Sequence, residues 1–167
     1  ELKSLICESR SYVIRSIAQN SSGSSVTAAN TLNPIRIVVS YLGGLFFVYV
    51  GILHFVDTEW FEPIVPPWLS FPTFWVILSG ILEIGVGFGL LISKTRRNAA
   101  LASALLLIAV YPANIYMWIY NVELGDGTTL TQIGHVYRLC AQIAGVLICI
   151  WIYKTTPKSV ILQSECK

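Results

Sequence analysis

The chain has 167 residues, of which 54% are hydrophobic and only 12% charged. Soluble domains carry about 25% charged residues, so half that fraction, gathered around long apolar runs, places the chain in a lipid bilayer. The net charge of +2 is small and scattered, which excludes a nucleic-acid partner; no Gly-rich phosphate loop, HExxH or zinc-type Cys/His spacing is present, so no metal is expected.

Residues 1–33 form a polar N-terminal arm, serine-rich and carrying Lys3, Arg10 and Arg15 against Glu1 and Glu8. Two readings stay open for it: the remnant of an organelle transit peptide, or a segment that grips a neighbouring subunit. The first span runs from about Pro34 to Phe55, with Asn33 placed to cap it and Pro34 suited to its first turn. About twenty residues at ~1.5 Å each reach ~30 Å, enough to cross the hydrocarbon.

Residues 56–72 cannot span. Pro63, Pro66, Pro67 and Pro72 forbid a continuous helix, and the expectation is a short interfacial helix near Asp57–Glu62 followed by an extended elbow. Trp60 and Trp68 are read as its interfacial anchors, because amphipathic rings settle at headgroup depth. The second span covers about Thr73 to Ile92, and Ser93–Asn98 makes a tight basic turn. The third runs from about Ala99 to Tyr120, with a kink expected near Ile108, whose carbonyl loses its donor to Pro112. Residues 121–137 read as a polar loop turning at Gly125-Asp126-Gly127. The fourth span, Arg138 to about Tyr153, is short and could begin a few residues earlier. A basic tail, 154–167, closes the chain, so that 34–153 is the four-helix membrane domain.

Charge sets an orientation. Lysines and arginines lie in the N-terminal arm, at Arg36, in the 93–98 turn and in the C-terminal tail. The 56–72 and 121–137 connections carry Asp57, Glu59, Glu62, Glu123 and Asp126 and no Lys or Arg. By the positive-inside rule both termini share the cytosolic, matrix or stromal side. Cys140 and Cys149 are nine residues apart on one helix, so they point to opposite faces and cannot pair. They read as buried free thiols, a Cys7–Cys166 bridge being the alternative.

Helices in lipid pack through small residues. Gly85/Gly89, Ala100/Ala104 and Ala141/Gly145 have the required spacing, and Ser79, Glu83 and Gly87 share one face. Glu83 lies about 15 Å into its span, and an ionisable residue at that depth is a functional hypothesis by default. Charging it without a partner is costly, so a neutral, hydrogen-bonded Glu83 is expected. His54, Asn114, Arg138 and Gln142 lie in the same half of the membrane. These five side chains are expected to converge from four helices, either as a register-fixing network or as a ligand- or proton-handling pocket. Arg138 alone reads as a snorkelling anchor. No catalytic residue is legible.

The stretches HFxxxxxFxxIVPPWL (54–69), SGxxEIxxGxGLL (79–91), TRRxAA (95–100), AVYPANIYM (109–117) and RLxxQ (138–142) follow one another in an order and spacing that resembles the DoxX-like four-helix membrane proteins. The resemblance covers roughly residues 36–153. His54, Phe61, Pro66, Pro67, Glu83, Arg96, Pro112, Asn114, Arg138 and Gln142 stand at its motif positions. The chain departs from it at Cys140-Ala141, where that family often has proline, and at Tyr111, where it often has Phe. The resemblance implies an all-α four-helix bundle and, for some relatives, association with quinol-oxidising or thiosulfate:quinone systems; a related group assists receptor assembly. The expected function is therefore an accessory or structural subunit of a larger organellar electron-transfer complex, respiratory or photosynthetic, in the mitochondrial inner membrane or thylakoid. Its partners would be the lipid bilayer and other membrane subunits. The sequence requires no cofactor; a quinone, lipid or pigment is what a pocket beside Glu83 would take if the chain is instead a quinone-linked component. An assembly chaperone is the third reading.

Overall fold

A computed structural model describes residues 25–157. Among these residues the fold is all-helical: α1 (Ser25–Val56), α2 (Thr58–Phe61), a 3-10 turn (Glu62–Ile64), α3 (Pro72–Leu91), α4 (Arg96–Ile119) and α5 (Gln132–Thr155). Four stretches are long and apolar enough to cross a membrane, namely Pro34–Val56, Pro72–Leu91, Arg96–Ile119 and Gln132–Thr155. Residues 39–157 form one compact unit, and every contact below lies within it; residues 25–38 are the helical start of α1. The readings of residues 1–24 of the arm, of the 154–167 tail beyond residue 157, and of Cys7 and Cys166 fall on residues outside those described; residues 25–33 are helical, so Asn33 and Pro34 lie inside α1 rather than at its cap and first turn.

The first connection follows expectation: α2 and the 3-10 turn are followed by an irregular elbow over 65–71. The elbow ends at Phe71, a bulky side chain held at φ 61°, and Pro72 then starts α3 at its first turn. The fourth span, α5, corrects the reading of 121–137 as loop. It begins at Gln132, six residues before Arg138, because the Thr131 side chain caps it by accepting the Gly134 amide at 3.2 Å. That accounts for the apparent shortness of the last span. The third span, α4, likewise starts at Arg96 rather than Ala99 and continues through Pro112.

The two arginines of the 93–98 turn have packing roles as well as charge. Arg96 is buried, donating from Nε to the Leu90 carbonyl (3.0 Å) and from Nη2 to the Leu91 carbonyl (3.3 Å), and it lies over the Tyr41 ring. Arg97 Nε donates to the Tyr153 carbonyl (3.3 Å), and its guanidinium sits 4.2 Å from the Tyr153 ring centre. The last carbonyls of a helix lack intrahelical donors, and cations are favoured there by the helix dipole. One pair of adjacent arginines thus ties off the ends of α3 and α5.

Glycine lets the backbones of α1 and α3 approach each other closely. A Cβ on Gly44 would lie 2.9 Å from the Gly87 carbonyl oxygen, and one on Gly51 would lie 2.8 Å from that of Gly80. The paired glycines are seven residues apart on both helices, so α1 and α3 run antiparallel in register. The GxxxG reading of Gly85/Gly89 needs correction, since Gly85 has nothing within 4 Å of its would-be Cβ and only Gly89 makes a contact, to Ala99. A core of Phe47, Leu90, Ala99, Ala100, Ala104, Cys149 and Ile152 fills the bundle. A second cluster, Ile64, Met117 and Leu124 with Trp60 and Phe61 beside it, closes the end that carries the acidic connections. There the Gly125 amide reaches the Trp60 carbonyl (3.4 Å), and the Glu59–Trp60 backbone leaves no room for a side chain at 125. Cys149 is buried as expected, whereas Cys140 is exposed; both are free thiols.

Candidate functional site

The five polar side chains divide into two groups rather than one. His54 and Glu83 belong to the α1–α3 interface. A helical Cα–Cβ bond tilts toward its own N-terminus, and the two helices are antiparallel. His54, near the C-terminal end of α1, therefore leans into the bundle, while Glu83 leans toward the acidic end. Close backbone approach completes the meeting, for a Cβ on Gly80 would strike the His54 Cβ at 2.8 Å.

His54 Nδ1 is 2.8 Å from the Val50 carbonyl oxygen. A carbonyl can only accept, so Nδ1 carries the hydrogen and the neutral ring keeps its lone pair on Nε2. Phe61 stacks on the imidazole with ring centres 4.1 Å apart and planes 17° from parallel. Glu83 Oε2 lies 3.6 Å from His54 Nδ1, too far for a hydrogen bond. That oxygen is buried and has no hydrogen-bond partner among the described residues. The carboxyl expected to be hydrogen-bonded thus keeps one buried oxygen unbonded.

Asn114, Arg138 and Gln142 belong to the α4–α5 interface, where they form a chain. Arg138 Nη2 donates to Asn114 Oδ1 (2.7 Å), Asn114 Nδ2 donates to Gln142 Oε1 (2.7 Å), and Gln142 Nε2 donates to the Leu107 carbonyl (2.6 Å). The acceptor at its end lies one residue before Ile108, the carbonyl that Pro112 deprives of a donor. Arg138 is thereby a member of an interhelical network. No hydrogen bond or ion pair among the described residues joins this chain to His54 or Glu83.

Beside the chain, a cleft of about 320 Å³ opens between α4 and α5, lined by Leu107, Ile108, Tyr111, Gln142, Ile143 and Val146. Its walls are almost wholly apolar, because Gln142, the amide on its edge, already uses both ends of its side chain. Of the two tryptophans read as anchors, Trp68 is exposed and packs edge-on against Tyr116, whereas Trp60 turns inward against the second cluster.

His135 escaped the sequence reading. It is buried, stacks 5.9 Å from Trp118 with near-parallel rings, and its Nε2 has no partner among the described residues. Trp118 is in turn fixed by its indole N–H to Gln132 Oε1 (2.8 Å). Thr131 as a helix cap was the available signal, since it would have moved His135 from loop to helix. No group of three or more His, Cys, Asp or Glu side chains among the described residues is placed to hold a metal ion.

Residues 42–154 match the model of the family described as Domain of unknown function (DUF8561), and the chain belongs to that family. No curated protein matches the chain, and no solved structure matches it.

Proposed function

We propose that this member of the DUF8561 family is a small membrane-embedded accessory or structural subunit of a larger organellar electron-transfer complex. The observation that carries the reading is the Arg138–Asn114–Gln142–Leu107 chain. Its side chains bond to one another and to a backbone carbonyl, so they lock α4 to α5. The cleft beside them is apolar and suits hydrocarbon. The electron-transfer setting rests on the DoxX-like motifs. The same reading places both termini on one side of the mitochondrial inner membrane or thylakoid, and gives the 1–33 arm and basic tail to partner contacts.

Isolation of the chain in mild detergent followed by native mass spectrometry tests this. The expected result is co-purification with other membrane subunits at fixed stoichiometry, weakened by deletion of residues 1–30. A chain that migrates alone under conditions preserving other membrane complexes would reject it.

A second reading has one observation in its favour: the unbonded oxygen of buried Glu83 beside His54. A quinone-like head group could use it as an acceptor or proton donor, and the chain would then belong to a quinone-linked oxidoreductase. Loss of quinone-dependent turnover in a normally assembled Glu83→Gln complex is the result that would favour it.

A further inference from the structure

We infer that His54 and Glu83 form a proton-exchange pair, in which the imidazole passes protons between the acidic end of the bundle and the buried carboxyl. This goes beyond the accessory-subunit reading and does not rest on it.

The placement comes first. His54 is two residues from the end of α1, whereas Glu83 lies eleven residues after Pro72, about 16 Å along α3 by helix rise. His54 is thus the member nearer the boundary. Glu83 is 9% exposed, and its Oε2 faces His54 Nδ1 at 3.6 Å. A buried polar oxygen left without a hydrogen bond is destabilising, because it has given up water and gained no partner. At the α4–α5 interface two amides and a guanidinium are joined by hydrogen bonds, whereas this carboxyl oxygen is left without one.

The ring is then poised in one tautomer. Val50 holds the hydrogen on Nδ1, and Phe61 clamps the ring face, so the free basic site is Nε2. A proton arriving from the boundary adds to Nε2 and gives the imidazolium. Its Nδ1–H bond, held at rest by the Val50 carbonyl (2.8 Å), then breaks once the charged ring has closed the 3.6 Å gap to hydrogen-bonding distance and the proton passes to Glu83 Oε2. The carboxylate becomes a carboxylic acid, and the imidazole is left neutral with its hydrogen on Nε2. One proton has entered and one has reached Glu83. In this second tautomer Nδ1 presents a lone pair to the Val50 carbonyl, an acceptor facing an acceptor. The Val50 contact therefore favours return to the starting form. Among the described residues, the contacts to the pair from α2 and α3 come from groups that do not titrate: Phe61, Thr58, whose hydroxyl donates to the His54 carbonyl (2.7 Å), and Gly80.

Infrared spectroscopy of the full chain in lipid nanodiscs tests the pair, using the carboxylic C=O band that disappears in Glu83→Gln. On transfer to D₂O the band should shift in the wild type at the rate of solvent exchange. In His54→Asn, whose amide can keep the Val50 bond but cannot pass a proton, the shift should be about a hundred-fold slower, the low end of what a positioned proton-transfer group contributes. His135→Gln, which alters the only other imidazole, should leave the rate unchanged. Equal rates in wild type and His54→Asn would overturn the inference, as would the absence of any protonated Glu83 band across the stable pH range. If His54→Asn fails to fold, ¹⁵N-histidine NMR of the wild type decides. The inference requires a neutral His54 with hydrogen on Nδ1 that titrates at Nε2, and a hydrogen fixed on Nε2 would refute it.

Discussion

The α1–α3 and α4–α5 interfaces solve the same problem, holding together two helices long and apolar enough to cross a membrane, by opposite means. At α1–α3 paired glycines bring the backbones into contact, and the two polar side chains between them are left without a direct hydrogen bond to each other. At α4–α5 the contact is made by side chains, and each polar group of the chain from Arg138 to the Leu107 carbonyl has a partner. Lipid offers no hydrophobic drive between helices, so packing and interhelical hydrogen bonds must supply the association. The first interface uses the one and the second uses the other. Stability is therefore expected to depend on shape at α1–α3 and on polar pairing at α4–α5.

Breaking the shape should have the largest effect. Gly51→Val puts methyl groups into the Gly80 carbonyl and the Ile84 side chain, and overpacking of this kind is expected to destabilise by about 3 kcal/mol or more. Gly85→Ala, on the same helix as Gly80 but with open space around it, should be neutral or gain about 0.5–1 kcal/mol from helix propensity. Denaturation of both variants in one detergent checks the pair. Breaking the polar chain comes next. Gln142→Leu strands the Leu107 carbonyl and the Asn114 amide and should cost about 1–3 kcal/mol. Asn114→Leu in the same background should then add less than it does alone, because the two side chains share one network.

Much of this contrast was out of reach of the sequence. Four apolar runs and their acidic and basic connections gave the number of helices, and the Pro-rich segment gave the short helix and elbow between the first two. Spacing along a helix gives depth and face, but not which neighbour that face meets. His54, Glu83, Asn114, Arg138 and Gln142 therefore appeared to converge, although they belong to two interfaces. The GxxxG spacing drew attention to Gly85, which faces open space. The contacts use a seven-residue spacing on both helices, visible only when α1 and α3 are compared with each other. Arg96 and Arg97 read as surface charge because nothing in a basic turn shows that the carbonyls of Leu90, Leu91 and Tyr153 end beside it.

The smallest effect is expected far from both interfaces, in the turn after α4. The Thr128 hydroxyl, and then the Thr128 amide, hold the Asp126 carboxyl below its usual value by donating to Oδ1 (2.7 and 3.0 Å). A carboxyl so depressed stabilises the turn above its unfolded-state value and loses that contribution as pH falls through the folded one. The protection factor of the Thr128 amide, its exchange relative to the intrinsic rate at the same pH, should fall on acidification in the wild type. In Asp126→Asn it should not vary with pH in this way, and global stability should be unchanged in both.

The central claim is that the α4–α5 polar chain is structural while the Glu83 carboxyl is not held in place by hydrogen bonding. Unfolding of Glu83→Gln and Gln142→Leu, side by side in one detergent and one buffer, tests it most directly. The account predicts that Glu83→Gln stays within about 1 kcal/mol of wild type, since Oε2 has no bond to lose, while Gln142→Leu falls by about 1–3 kcal/mol. A Glu83→Gln chain that loses as much stability as Gln142→Leu, or more, would contradict it.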